Sequence, residues 1–203
     1  MPRSFSEEEK ERIKNLLYEK GRELFSIYGL KKTGVAELAA AAGIAQGSFY
    51  IFFDSKEELY FRVMEIEEER IQAKFKAKLL DGKKMNRQKF KEFLQEALQV
   101  FQENPLIRQL WTDRELETLL KRLPRKMLDR HTSRDTDTLV PLIKHWQSEG
   151  SMVKESPEVL VGVIRALFFI PLHQDEIGAE IYPRVADLYI EMIARGLVRE
   201  ESN

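Results

Sequence analysis

A short alanine-rich run followed at once by a glycine constrains the fold of this 203-residue chain more than any other feature. Residues 38–42 have the sequence LAAAA, and such small side chains predict a helix that a second helix can cross at close range. Gly34 is an acceptable N-cap, and Glu37 follows three residues later, where its carboxylate can reach back to the free backbone amides. Gly43 suits the left-handed conformation that ends a helix. The pattern predicts a short helix that stops in a tight turn.

A second helix is predicted directly after the turn, from residue 45 to residue 52. Phe49 and Phe53 are four residues apart, which directs both rings to one side of the helix and into a core. The residues that remain for the outside are Gln46, Gly47, Ser48 and Tyr50. Two short helices joined by a tight turn form a helix-turn-helix, whose second helix lies in the major groove of DNA.

A third and longer helix begins where Ser55 and Glu58 are spaced for a capping box. This start places Lys56 in the first helical turn, where a cation opposes the helix dipole unless an anion binds at the amino end. Glu57 and Glu58 offset that positive charge. Lys56 alone is therefore weak evidence for an anion site.

Gly47 lies inside the second predicted helix, where glycine costs about 0.5–1 kcal/mol relative to alanine. Such a glycine normally has a compensating reason, and two explanations remain open here. The backbone can need close approach to something bulky, such as a phosphate strand. The glycine can equally serve contact between two helices of the same protein.

The block of residues 13–59 resembles the DNA-binding domain of the TetR family of transcriptional regulators. The matching positions are residues 23–30 (ELFSIYGL), Thr33, Val35, Leu38, Ala39, residues 42–44 (AGI), Gly47, Phe49, Tyr50, Phe53 and residues 55–59 (SKEEL). So many matches in one register are far more specific than a generic two-helix pattern. The rest of the chain carries no motif and resembles the family's effector-binding and dimerisation domain only in size and helical character.

The resemblance implies a DNA-binding role for six residues. Tyr50, Lys56 and Thr33 correspond to positions at which the family contacts phosphate. Gln46, Gly47 and Ser48 fall where the family touches bases or the adjacent backbone. An amide such as that of Gln46 can also bond bidentately to adenine, so its chemistry agrees with the implied role.

Three positions depart from the family pattern at the predicted interface. Ala45 stands where serine is common, so a capping hydroxyl and a phosphate contact are missing. Ile51 and Phe52 replace positions that are often tyrosine or histidine. These changes leave the fold prediction intact but put the operator sequence and the affinity for DNA in question.

The predicted fold is all-α, with an N-terminal three-helix domain (residues 1–55) and a larger helical ligand-binding and dimerisation domain (residues 56–203). About nine helices are expected by apolar periodicity. The predicted helices cover residues 7–28, 55–79, 87–103, 106–123 as one or two helices, 124–149, a helix capped at Ser156-Pro157, and 182–199. In the first predicted helix, at residues 7–28, the apolar stripe consists of Ile13, Leu16, Leu17, Leu24, Phe25 and Tyr28. The acidic run at residues 65–69 is expected to be a solvated face.

The last two long helices predict a dimer interface. A helix formed by residues 159–168 would have almost no polar face. A helix that is apolar on every side is expected to be buried on every side. The candidate interface residues are Val163, Leu167, Tyr182, Val185, Tyr189, Met192 and Ile193. A monomeric core is the alternative. The dimer is favoured because paired half-sites supply the affinity that a single helix-turn-helix lacks.

Aromatic residues of the larger domain predict a pocket for an apolar ligand. The candidates are Phe101, Trp111, Trp146, Phe168, Phe169 and His173. For any single aromatic residue, a place in the core is the better explanation. Taken together, the set favours an apolar cavity with a few polar groups.

Composition excludes several classes of function. The chain has no cysteine, so disulfides, thiolate metal sites and cysteine catalysis are ruled out. Its three histidines lie far apart, and no catalytic or phosphate-binding motif occurs, so neither an enzyme nor a metal or cofactor is expected. The net charge is −1, and residues 1–62 balance ten Lys and Arg against ten Asp and Glu, so few phosphate contacts are expected. A polar amino terminus and an apolar run broken by Arg165 and Pro171 predict a cytoplasmic protein with no membrane partner.

The sequence therefore predicts a ligand-responsive transcriptional repressor. It is expected to bind palindromic double-stranded DNA as a homodimer and to be released by a small, apolar effector. The alternative is a helical interaction or structural protein with a degenerate helix-turn-helix that binds DNA weakly or not at all.

Overall fold

The computed structural model describes residues 5–79, 84–112 and 116–199. Within these residues the chain forms ten α-helices and two short 3-10 helices, which confirms the predicted all-α fold. The α-helices are α1 (Glu7–Lys32), α2 (Val35–Ala41), α3 (Lys56–Leu79), α4 (Arg87–Glu103), α5 (Pro105–Thr112), α6 (Leu116–Arg122), α7 (Arg125–Ser148), α8 (Pro157–Leu167), α9 (Gln174–Ile177) and α10 (Tyr182–Leu197). The 3-10 helices are Gln46–Ile51 and Ile170–His173.

Helix boundaries follow the sequence signals closely. The segment 106–123 forms two helices, α5 and α6, and the one-turn α9 was not predicted. α7 continues through Pro141 and ends before Gly150, which has a φ of 73°. The hydroxyl of Ser156 accepts a bond from the backbone N–H of Val159 (3.2 Å), as expected of an N-cap. An isolated antiparallel bridge joins Met152 and Val198.

The chain packs into two compact units. The first comprises Met1–Arg70 and Asn104–Pro124, and the second comprises Ile71–Glu103 and Arg125–Asn203. The first unit therefore includes α5 and α6, which the sequence prediction assigned to the larger domain. The predicted boundary between a DNA-binding domain (residues 1–55) and a ligand-binding and dimerisation domain (residues 56–203) stays a prediction about function.

The first unit is built on α1. Ser6 and Glu9 cap its start reciprocally, at 3.1 and 2.9 Å. Most of the predicted stripe faces inward, but Tyr28 is 54% exposed, so its assignment to the core was wrong. The reason is local, because Gly29 follows with a φ of 78° and turns the chain out of the helical path.

Residues 56–70 of α3 contact α1 and α5 within the same unit. Tyr60 is fully buried, packs edge-on against the ring of Phe25, and donates a hydrogen bond to the carbonyl oxygen of Leu106 (2.5 Å). Leu106 and Ile107 of α5 are buried as well. The Tyr60 hydroxyl thus has a hydrogen-bond partner in an apolar environment, and this bond fixes one turn of α5 against α3.

The acidic run at residues 65–69 is not a uniformly solvated face, and that prediction was wrong. Glu65 is buried and pairs with Arg62 of the preceding turn (2.6 Å). Glu67 pairs with Arg22 of α1 (3.0 Å) and accepts a hydrogen bond from Asn104 (3.2 Å). The sequence could not indicate these partners, because Arg22 lies 45 residues away along the chain.

The second unit has α4 and α10 side by side. Apolar residues of α4, among them Phe90 and Leu94, fill its core, and Phe90 packs edge-on against Trp146 of α7. Lys91 pairs with Glu191 (2.6 Å), which also pairs with Arg195 and whose pKa these two cations hold below its ordinary value. The pair of Lys91 with Glu191 holds α10 against α4.

Candidate nucleic-acid interface

The first helix of the helix-turn-helix ends as its sequence predicted. The carboxylate of Glu37 accepts a hydrogen bond from the backbone N–H of Gly34 (2.9 Å) at the start of α2. Gly43 has a φ of 72°, and the N–H of Ile44 reaches back to the carbonyl of Ala39 (3.0 Å). This closed turn fixes the direction in which the next residues leave α2.

The next element, which we call the recognition segment (Gln46–Ile51), is a 3-10 helix. The predicted α-helix over residues 45–52 was therefore wrong in type. Its residues are weak helix formers, since glycine, serine, two aromatic residues and a β-branched residue follow one another. Ala45 supplies no side-chain cap, as the departure from the family pattern implied.

Two aromatic rings anchor the recognition segment to the core. Phe49 and Phe53 are buried with ring centroids 5.9 Å apart, which confirms that they face the same side. Phe53 also contacts the ring of Tyr18 on α1 at 5.5 Å. Because these rings fix one face inward, the remaining faces of the segment are directed outward.

Four of the six predicted DNA-binding residues lie on this outward side. Gln46 and Gly47 are exposed, Ser48 is half-buried, and Tyr50 is 55% exposed. A Cβ atom added to Gly47 would meet no atom within 4 Å. Contact between helices of the chain therefore does not account for this glycine within the described residues.

Thr33 does not belong to the outward group. Its side chain is fully buried, and its hydroxyl donates to the carbonyl oxygen of Gly29 (2.7 Å). The predicted phosphate contact through this hydroxyl was wrong for the conformation seen here. The hydroxyl instead adds a second hydrogen bond to the carbonyl of Gly29, which also accepts the backbone N–H of Thr33 (3.3 Å).

Lys56 is likewise directed into the protein. Its ammonium group donates to the carbonyl oxygens of Leu30 (2.7 Å), Lys31 (3.2 Å) and Thr33 (2.8 Å). An ammonium group has three donors, so these bonds use its full capacity. The ammonium group thus lies at the carboxyl end of α1, where the carbonyl oxygens carry partial negative charge. This contact accounts for a lysine in the first turn of α3, so no bound anion is needed to explain it. The predicted phosphate contact of Lys56 is not available in this geometry.

The departures Ile51 and Phe52 have different environments. Ile51 is 58% exposed at the end of the recognition segment. Phe52 is half-buried, with its ring 6.0 Å from that of Phe5. The polar side chains common at these positions are replaced here by an exposed aliphatic group and an internal aromatic contact.

Exposed cations of the same unit include Lys31 and Lys32 at the end of α1.

The described residues predicted for an effector pocket have different environments. Phe101 and Phe168 are in contact, with ring centroids 4.7 Å apart. Trp146 is buried against Phe90, whereas Phe169 and His173 are exposed. Trp111 lies outside the side chains that the structure describes. The contact between Phe101 and Phe168 is the part of the predicted pocket that the structure brings together.

The residues predicted for a dimer interface divide into two groups. Leu167, Tyr182 and Ile193 are buried inside their own unit, so they serve its core. Val163, Val185 and Tyr189 are half-buried, and Met192 is 62% exposed. The predicted interface did not include four exposed apolar side chains on or beside these helices, which are Val159, Phe169, Ile181 and Leu188. Of these, Val159 was expected to be buried with the rest of its helix, and Phe169 was assigned to the effector pocket. The spacing of residues 181, 185, 188 and 192 is that of one helical face and could have identified it.

The apolar stretch around α8 is largely uncovered in the single chain. Residues Pro157–Ile177 have the length and composition of a membrane-crossing helix, and 28% of the most apolar window is buried. The structure divides the stretch into α8, a 3-10 helix and α9, so it is not one continuous helix. A helical face of this kind is typical of contact with another protein surface.

In the part of the chain that the structure describes, no group of three His, Asp or Glu side chains is arranged to hold a metal ion. His145 is exposed and lies 3.5 Å from the carboxylate of Glu149, and His173 is exposed on the surface. The described histidines are therefore surface residues of the second unit.

Comparison with known proteins agrees with this geometry. Residues 17–63 match the model of a family described as bacterial regulatory proteins, tetR family. These residues contain α2, the turn and the recognition segment. No protein among the curated sequences matches the chain.

Solved structures share the fold over the whole chain. A TetR-family transcriptional regulator from Pectobacterium atrosepticum has a TM-score of 0.74 at 19% identity, covering 98% of this chain and 100% of that one. SmeT, the repressor of the Stenotrophomonas maltophilia multidrug efflux pump SmeDEF, has a TM-score of 0.62 at 15% identity, covering 92% and 91%. RolR in complex with resorcinol has a TM-score of 0.63 at 20% identity, covering 97% and 100%. At these identities the likeness shows the fold.

Proposed function

We propose that this chain, a tetR-family transcriptional regulator by the match of residues 17–63 and by its fold, is a ligand-responsive repressor. It binds palindromic double-stranded DNA as a homodimer in the cytoplasm, and a small apolar effector releases it. The observation that carries the proposal is the outward recognition segment, with open space in front of Gly47.

DNA binding follows from the side chains on that segment. Gln46 offers an amide that can pair with adenine, and Ser48 and Tyr50 offer hydroxyl groups. Gly47 lets the backbone approach a bulky partner more closely than any other residue would. With Thr33 and Lys56 directed inward, the phosphate contacts come from Tyr50, from backbone N–H groups and from exposed lysines such as Lys31 and Lys32.

Dimerisation supplies the second half of the interface. The exposed apolar residues Val159, Leu188 and Met192 on α8 and α10 give each chain a surface that a second copy can cover. A two-fold dimer pairs the same patch on both chains, and it presents two recognition segments to a palindrome. Linking two weak contacts in this way raises the affinity by effective concentration.

Effector release would act through a shift between two conformations. A ligand weakens DNA binding only by as much as it prefers the conformation that does not fit the operator. The contact between Phe101 and Phe168 in the second unit is the best-supported part of an apolar binding region. Two proteins of the same fold support this class of function, since one is named as an efflux-pump repressor and one is in complex with resorcinol.

The second candidate is a helical interaction protein with a degenerate helix-turn-helix. It is favoured by the missing cap at Ala45 and by the apolar residues Ile51 and Phe52 at positions that are often polar in the family. Because the ammonium group of Lys56 is bonded inside the chain, one of the cations expected to contact DNA phosphates is not available.

A mobility-shift assay separates the two candidates. The full chain is mixed with duplex DNA that flanks its own coding region, and with a scrambled duplex of equal length. The repressor predicts a discrete complex on the flanking DNA, weakened in the Tyr50→Phe variant, at concentrations where the scrambled duplex stays free. Equal binding to both duplexes, or none, favours the interaction protein.

A further inference from the structure

Ile51 is an exposed aliphatic side chain on the element proposed to enter DNA. It lies at the end of the recognition segment and is 58% exposed. A 3-10 helix has three residues per turn, so Ile51 stands one turn from Ser48 on the same face. Because Phe49 is buried, the face that carries Ser48 and Ile51 is directed away from the core.

The segment that contains Ile51 carries no charge of its own. Residues 44–53 contain no charged side chain, so this segment cannot hold phosphate groups by charge. It offers instead an amide at Gln46, hydroxyls at Ser48 and Tyr50, and one aliphatic group at Ile51. Amides, hydroxyls and methyl groups are the chemistry that recognises base edges in the major groove.

Thymine displays an apolar group at its edge in the major groove, the C5-methyl. An aliphatic side chain brought into the groove loses contact with water and gains most from covering that methyl. From the exposure, the face and the lack of charged side chains in the segment, we infer that Ile51 packs against a thymine methyl group in each half of the bound DNA. The inference rests on the proposed DNA binding, and it makes Ile51 one of the residues that select the DNA sequence.

The test removes the methyl group from the DNA. Duplexes bound by the purified full chain are first selected from a random-sequence library. Each thymine of the selected site is then replaced in turn by uracil, which pairs identically but lacks the methyl. Dissociation constants are measured for the wild type, for Ile51→Ala, and for Ile27→Ala as a matched control, since Ile27 is 67% exposed on α1 outside the recognition segment.

The expected result is a loss of affinity at one thymine position per half-site. Burying one methyl group corresponds to a loss of about fourfold for one half-site and about fifteenfold for both. Ile51→Ala should bind thymine and uracil duplexes equally, whereas Ile27→Ala should keep the wild-type preference. Thermal melting of the variants checks that they remain folded, as expected for exposed positions.

Two results overturn the inference while leaving the proposed function intact. One is a wild-type protein that binds every uracil duplex as tightly as the thymine duplex. The other is an Ile51→Ala variant that keeps the wild-type loss on uracil. Failure to select any preferred DNA sequence would instead contradict the proposed function, and the inference with it.

Discussion

Gly47 and Lys56 have different surroundings in the structure. Both match the family pattern, and both were assigned to DNA on that resemblance. Gly47 has open space where a side chain would begin, whereas Lys56 is bonded to three carbonyl oxygens of its own chain. Lys56 thus supports the fold of its own chain, whereas the backbone at Gly47 is accessible from outside.

Replacing Gly47 by alanine should separate stability from DNA binding. The added methyl group meets no atom of the chain, and alanine is favoured over glycine in helical backbone by about 0.5–1 kcal/mol. The melting temperature should stay the same or rise, while the affinity for DNA falls at least several-fold because the backbone is held away. Calorimetry and a DNA titration of Gly47→Ala measure the two effects. A lower melting temperature with unchanged affinity would show that this glycine is structural.

Replacing Lys56 by glutamine should have the opposite signature. The loss of charge-assisted bonds at the end of α1 should lower the free energy of unfolding by about 1–2 kcal/mol. If Lys56 makes no phosphate contact, the dependence of the DNA dissociation constant on salt keeps its slope. Lys32→Gln, at an exposed lysine, is the control and should reduce that slope by about one per chain without affecting stability. A reduced slope in Lys56→Gln would restore its assignment as a phosphate ligand.

At the scale of elements, α5 is held to α3 by a buried hydrogen bond. The hydroxyl of Tyr60 and the carbonyl of Leu106 are 46 residues apart in sequence, and both lie inside the first unit. No local pattern predicts such a pair. The segment 104–124 therefore belongs to the unit that carries the recognition segment.

Tyr60→Phe tests this attachment. The substitution keeps the ring and leaves the carbonyl of Leu106 without its donor, which should lower the free energy of unfolding by about 1–3 kcal/mol. Urea denaturation of the full chain measures the loss. Tyr50→Phe is the control, because that hydroxyl is on an exposed side chain and its removal should leave stability unchanged. Equal stability of Tyr60→Phe and wild type would mean that the bond contributes little to holding α5.

The sequence predicted elements better than it predicted their partners. Caps at Gly34 and Ser156 and the turn at Gly43 are local signals, and the structure confirms each of them. The 3-10 form of the recognition segment was missed, because buried rings at Phe49 and Phe53 hold a short segment of weak helix formers. The burial of Glu65 and the inward bonding of Lys56 depend on tertiary contacts, which no single-chain pattern contains.

The exposed apolar side chains of α8 and α10 form the surface that we propose a second copy covers. Leu188 and Met192 are four residues apart on α10 and are 52% and 62% exposed. Periodicity indicated that these helices were apolar on more than one side, but it could not tell which residues serve the core. Burial makes that division, because Leu167 and Ile193 face inward.

A double substitution of this face should produce a monomer. Leu188→Glu with Met192→Glu places four carboxylates at a two-fold interface, where unpaired charges are strongly disfavoured on burial. Light scattering on a gel-filtration column should give two chains per particle for the wild type and one for the variant. Lys154→Glu, at an exposed residue of the loop before α8, is the control and should stay dimeric. A variant that remains dimeric would move the interface elsewhere.

The most direct measurement is the number of chains bound to one DNA site. Sedimentation of the full chain with a labelled duplex, selected as described above, gives this number at concentrations near the dissociation constant. We expect an even number, two chains for each palindrome, and a loss of the complex in Leu188→Glu with Met192→Glu. One chain per site, or no complex with any duplex, would contradict this expectation.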